Sequence, residues 1–156
     1  MSIPLLNRFY EAFAARDHAT MAQCYAPDAH FSDPVFSDLH GPHVSAMWRM
    51  LCERAKDLRV EARDIAASGN HGTARWEAWY TYSATGRRVH NVIRATFTFR
   101  DGLIVRHADD FDLYAWSRQA LGATGLLLGW TPFVQEKIRR QAAAALTRAM
   151  AIGTPA

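Results

Sequence analysis

Five side chains give this chain its options for acid–base chemistry: Asp33, Arg75, Glu77, His107 and Asp109. Asp33 closes the mostly apolar run His30-Phe31-Ser32-Asp33-Pro34. A carboxylate against apolar walls resists ionisation, so its pKa rises. A tenfold loss of acidity corresponds to about 1.4 kcal/mol, and such a change suits the group to moving protons near neutral pH. The same residue before Pro34 is also suited to capping a turn. Arg75 and Glu77 stand two apart in a strand-like run, about 7 Å between Cα atoms. Aimed into an apolar face, such a pair costs desolvation energy and implies a function; aimed outward, it is a pair on a sheet rim. His107 and Asp109 share a strand face, where the carboxylate can orient the imidazole or polarise a water; the alternative is a structural histidine beside a turn-stabilising aspartate. His40 and His43 have the spacing of a metal pair, but they lie in a Gly-Pro loop with no third ligand at a telling distance, so no metal is expected. Phosphate-cradling glycine loops and GxSxG elbows are absent from the sequence, so no cofactor is expected.

These residues need elements to hold them. Leu5, Leu6, Phe9, Tyr10 and Phe13 recur at helical spacing between Ile3 and Ala15. Asp17 is placed to cap a second helix reaching Tyr25 and stopped by Pro27-Asp28. Ala29 to Asp33 reads as a short strand. Pro42 opens a helix to about Ala55, with Val44, Met47, Trp48 and Leu51 on its inner face. Four long runs follow: Leu58 to Ala67, Gly72 to Ala84, Arg88 to Arg100 and Leu103 to Leu113. They are separated by turn residues, including the hairpin signal Asp101-Gly102, so an antiparallel meander is expected. Alternation puts Arg75, Glu77 and Trp79 on one face and Trp76, Ala78, Tyr80 and Tyr82 on the other. It also groups Asn91 with Ile93, Ala95, Phe97 and Phe99, and Val105 with His107, Asp109 and Phe111. Ala115 to Ala123 looks helical. Gly122, Gly125 and Gly129 interrupt the apolar run that follows, and Pro132 opens a last helix to about Ile152.

The 156 residues suffice for one domain with its own core. The net charge of +3 comes from scattered Lys and Arg, clustered only at Arg87-Arg88 and from Lys137 to Arg140. These read as solvated faces, so nucleic acid is not an expected partner. Cys24 and Cys52 lack CxxC spacing and suggest no disulfide framework, which points to a reducing, cytoplasmic setting. The start MSIPLLNRFYEAF lacks the basic opening and apolar run of a secretion signal. No stretch of about 18 apolar residues is present, so no membrane span is expected.

Taken in order, RFYEAFAARD, MAQCYAPDAHFSDPVF, the Gly41-Pro42 helix start and FRDGLIVRHADDFDLYAW resemble the nuclear transport factor 2-like superfamily. That group includes ketosteroid isomerases, SnoaL-like polyketide cyclases and limonene epoxide hydrolases. The likeness spans roughly Leu5 to Leu113. It implies that Asp33 stands where ketosteroid isomerases carry their general base before a proline. Their oxyanion-hole tyrosine falls at Phe9 here, with Tyr10 one place along the helix, about 100° away. Their protonated acid falls at Ala95. Arg75-x-Glu77 looks like the Arg-x-Asp pair of the epoxide hydrolases, with Glu in place of Asp. Asp33 and Phe31 fall where those hydrolases hold an Asn and a Tyr. Asp109 looks like the last-strand carboxylate of the hydrolases and cyclases.

The resemblance implies an α+β domain over residues 1–114, a cone-shaped curved antiparallel sheet wrapped around N-terminal helices. Residues 115–156 are expected to add a C-terminal helical extension covering the mouth of the cone or a partner. The expected catalytic set is Asp33, Asp109, Arg75, Glu77 and His107; the expected substrate-binding set is Phe31, Trp48, Trp79, Asn91 and Tyr10. A homodimer is expected through the outer sheet face, where Trp76, Tyr80 and Val92 would otherwise be exposed. The expected function is cofactor-free acid–base catalysis (isomerisation, cyclisation or hydration) on a small apolar, oxygenated molecule. The alternatives are a binding module without chemistry and an interaction domain using LLLGWTPF.

Overall fold

A computed structural model describes residues 2–153. Met1 and residues 154–156, the outer ends of the two expected segments, lie outside the described residues. Helix α1 (Ser2–Ala14) buries Leu6, Phe9, Tyr10 and Phe13, the stripe that 3.6-residue periodicity dictates. Helix α2 (His18–Gln23) starts at Asp17, whose carboxylate accepts from Thr20 N. Strand β1 (Tyr25–Ser32) then begins four residues earlier than its sequence suggests. Pro27 and Asp28 lie inside this strand rather than stopping a helix. Proline is tolerated there because the short strand β2 (Leu39–His40) reaches only His30 and Phe31, leaving nothing beside Pro27 that needs its N–H.

Helix α3 (Pro42–Arg54) leads to β3 (Arg59–Ser68), β4 (His71–Tyr82), β5 (Arg87–Arg100) and β6 (Leu103–Asp110). These four form the expected antiparallel meander, while β1 joins β6 in parallel. The order is β2-β1-β6-β5-β4-β3, a six-stranded sheet that curves without closing into a barrel. Asp101 and Gly102 both take positive φ, the backbone a two-residue hairpin requires. Register shifts between Arg63 and Ala66, and between Thr98 and Phe99, add a residue to β3 and to β6. Bulges of this kind bend strands. The second one also separates Val105 from the face of His107: Ile104, not Val105, is the buried residue there.

The last strand stops at Asp110, short of Leu113, because Asp112 accepts from Ala115 N and caps α4 (Leu113–Leu121). Helices α5 (Ala123–Leu128) and α6 (Pro132–Gly153) complete the α+β fold. The main core fills the concave side of the sheet with Phe9, Phe13, Phe31, Trp48, Trp76 and Phe97. A smaller one joins Val89 to Trp116, Val134 and Ile138 of the C-terminal helices.

The concave face of β4 carries Trp76, Ala78 and Tyr80, and the convex face carries Arg75, Glu77 and Trp79. The expectation that the latter three line the cavity is therefore corrected. Only Val92 of the three apolar residues expected on the outside is exposed there, so the expected dimer face loses its apolar basis. It is instead a charged face. Arg59 lies over Trp79, Trp79 stacks on His90, and Glu77 meets both His90 and Arg63. Among the described residues, no helix is long and apolar enough to cross a membrane.

Candidate active site

A cavity of about 550 Å³ opens between the concave sheet, α3 and α6. Its wall is mainly apolar: Trp48 and Leu51 from α3, Trp76 and Ala78 from β4, Phe111, and Ile138, Ala142 and Ala145 from α6. Its polar members include Asp33, Tyr80, Asn91 and Asp109. Small side chains, Ala78 from the sheet and Ala142, Ala144 and Ala145 from α6, form part of its wall. The C-terminal helix is tied down on the opposite side, where Arg139 Nε donates to Pro34 O at 2.9 Å, directly beside Asp33.

Behind the Asp109 wall runs a buried chain of hydrogen bonds. Trp48 Nε1 lies 2.9 Å from Tyr25 Oη, Tyr25 Oη 2.7 Å from His107 Nδ1, and His107 Nε2 2.7 Å from Asp109 Oδ1. Trp76 Nε1 approaches the same oxygen at 3.4 Å. An indole nitrogen can only donate. Trp48 therefore donates to Tyr25. At the other end a carboxylate only accepts, so His107 Nε2 donates to Asp109, and in the neutral ring Nδ1 accepts from Tyr25. The imidazole is held in this direction by rings on all sides: it stacks on Trp48 and Tyr25 and meets Phe9, Phe31 and Phe97. His107 is itself wholly enclosed and reaches the cavity only through Asp109. Its bond to Asp109 fixes that carboxylate's orientation from behind the wall.

Asp33 both caps a turn and faces the cavity. Its Oδ1 accepts from Val35 N and Phe36 N, each at 2.7 Å, capping the turn after Pro34, and the same residue lines the cavity. Burial pushes its pKa up to about 6, with a smaller push from the charge of Asp109, against the pull of those two backbone donors. Tyr80, also on the wall, accepts from Trp116 Nε1 at 2.7 Å, which leaves its own proton free to donate. Burial drives its pKa to about 12, so it stays a neutral donor.

Of the expected residues, the structure brings Asp33, Asp109, Trp48 and Asn91 to one cavity. His107 and Phe31 stand behind that wall. Tyr10 is buried against Trp76 and Phe97, and its hydroxyl has no hydrogen-bond partner. Arg75, Glu77 and Trp79 are on the far side of the sheet, because the strand alternates and Trp76 takes the inward position. Sequence reasoning misses Tyr25 and Tyr80. Tyr25 lies beyond the place where Pro27 reads as the end of a helix. Tyr80 does alternate with Trp76, but that group reads as the outer face. Among the described residues, no group of three metal-ligating side chains occurs.

The family model for the SnoaL-like domain matches residues 6–107. Solved structures share the architecture at low identity. IdmH, a putative polyketide cyclase from Streptomyces antibioticus, is 24% identical with a TM-score of 0.64, over 77% of this chain and 97% of that one. A putative SnoaL-like polyketide cyclase from Jannaschia sp. CCS1 is 14% identical with a TM-score of 0.69, over 78% and 92%. An LEH-like epoxide hydrolase from M. tuberculosis is 21% identical with a TM-score of 0.63, over 82% and 96%. These likenesses establish the fold. No protein of curated function matches the sequence.

Proposed function

The chain belongs to the SnoaL-like domain family, and on that premise we propose that it is an acid–base enzyme acting on a small, apolar, oxygenated molecule enclosed by the sheet and α6. One observation carries the reading: two carboxylates, Asp33 and Asp109, face the same mainly apolar cavity, and a buried hydrogen-bond chain fixes one of them. Fold similarity alone would not license a reaction.

Each residue then has a role that its surroundings support. Asp109, held through Oδ1 by His107 and Trp76, takes a proton from a carbon next to a carbonyl. Asp33, whose pKa of about 6 keeps a fraction protonated near neutrality, returns a proton. Tyr80 donates to the oxygen that gains negative charge, which is the electrostatic role an oxyanion donor fills. Isomerisation and aldol-type cyclisation both use these steps. Epoxide hydrolysis by an arginine–carboxylate pair loses support, since Arg75 and Glu77 lie outside the cavity.

The experiment has two stages. A thermal-shift screen of terpenoids, steroids and aromatic polyketides identifies a ligand class, and turnover of that class is then compared in the parent and in Asp109→Asn. The expected result is retained fold and binding, with turnover reduced on the order of 10²–10⁴-fold. Unchanged turnover removes Asp109 from the mechanism. Tight binding with no turnover in the parent identifies a binding module instead.

A further inference from the structure

The corner between α5 and α6 is built unlike the rest of the surface. Leu126, Leu127, Leu128, Trp130 and Phe133 are large apolar residues, each between 49% and 74% exposed, within eight positions of one another. Soluble surfaces seldom concentrate apolar groups in this way. The cause is local. Helix α5 packs through its glycines: a Cβ on Gly125 would lie 1.9 Å from Ser117 O, and one on Gly129 would lie 2.1 Å from Ser117 Oγ. With that side pressed onto α4, the three leucines have only solvent to face. Trp130 is steadied beside them by Nε1 donating to Leu127 O at 3.1 Å.

A basic strip continues from this tip. Phe133, Lys137 and Arg140 follow at i, i+4 and i+7 along α6, so they share one face, and all three are exposed; the neighbouring Glu136 is paired with Arg139 at 3.8 Å, which leaves Lys137 and Arg140 as the strip's excess charge. The other face of α6 carries Val134, Ile138 and Ala145, which are buried, and Ile138 and Ala145 line the cavity. The helix thus separates the cavity from an outward surface that is apolar at its tip and cationic beyond.

We propose that this corner docks on a bilayer surface containing anionic lipid. Protruding Leu, Trp and Phe side chains insert into the headgroup boundary, and flanking cations hold the phosphates. Charge decides against a second copy as the occupant. A two-fold contact brings the same patch of both copies together, and with Glu136 taken up by Arg139 at 3.8 Å each patch would carry the uncompensated charges of Lys137 and Arg140 to the other. Shape favours lipid over a protein partner. The five side chains are each about half exposed or more, and a fluid acyl layer accepts projecting side chains without a matching surface. Docking is peripheral, since no described helix is long and apolar enough to cross. It would set the cavity beside a reservoir of apolar molecules. The docking itself does not depend on the catalytic assignment.

The test is co-flotation of the full chain with phosphatidylcholine vesicles, with and without phosphatidylglycerol. Binding is expected with the anionic vesicles and is expected to weaken as salt rises. The combined variant Leu127→Ser, Trp130→Ser and Phe133→Ser should lose at least about tenfold in vesicle affinity. Lys137→Gln with Arg140→Gln, both exposed and safe for folding, should lose about fivefold per charge on anionic vesicles only. No flotation with either vesicle overturns the proposal. So does a concentration-dependent dimer in sedimentation that the apolar variant abolishes, because a second copy would then be the occupant.

Discussion

The sheet carries two histidine–carboxylate pairs of nearly the same construction on opposite faces. His107 and Asp109 meet at 2.7 Å on the concave side, and His90 and Glu77 meet at 3.0 Å on the convex side. Each imidazole stacks on a tryptophan, Trp48 in one case and Trp79 in the other. The environments differ. The inner pair is buried, with side-chain exposures of 0% and 3%, while the outer pair stands at 45% and 18%. Outside, water and salt screen the charges and the pair contributes little. Inside, the pair has further protein partners: Tyr25 at His107 Nδ1 and Trp76 at Asp109 Oδ1, with Trp48 donating to Tyr25 in turn. Residue types and spacing alone do not make a site; the side of the sheet they occupy gives the same chemistry a different strength.

Removing each imidazole exposes the contrast most sharply. His107→Ala strands Tyr25 and Asp109 in the interior and should destabilise by about 3–5 kcal/mol, whereas His90→Ala should cost below about 0.5 kcal/mol. Urea unfolding of both variants measures the gap, and equal costs would erase the distinction drawn between the faces. A smaller effect is expected one link further along. Tyr25→Phe leaves the Trp48 indole N–H and His107 Nδ1 without their shared hydroxyl and should cost about 1–3 kcal/mol, again by urea unfolding.

The mildest effect depends on pH. The pKa of Asp33 in the folded chain is about 6, above its ordinary 3.8. Between these values the folded state holds more protons than the unfolded one, so this group's contribution falls as pH rises through that window. Asp33→Asn removes the penalty and can keep the turn, since its amide oxygen still accepts. It should gain about 1–2 kcal/mol at pH 7, discounting for partial solvent access, and close to nothing at pH 4. Thermal melts at the two pH values check the sign.

Much of this arrangement is legible in the chain. Helical spacing locates α1 and α3, and turn residues separate the four meander strands. The i, i+2 spacing puts His107 beside Asp109. The orientation of β4 is not legible, because both of its faces carry a tryptophan; packing against Tyr10 and Phe13 of α1 selects Trp76 as the inward one. The bulge in β6 is equally hidden, since Val105 fits a regular alternation as well as Ile104 does. Tyr25 is concealed by Pro27-Asp28, whose effect depends on whether a neighbouring strand needs a hydrogen bond there, and local sequence does not specify that.

The account rests on carboxylates kept away from water within one hollow, and a carboxyl-carbon NMR titration of Asp33 tests that most directly. A midpoint near 6 is predicted, moving down in Asp109→Asn once the neighbouring charge is gone. A midpoint near 3.9, the value of a freely solvated aspartate, and unchanged in that variant, would contradict it.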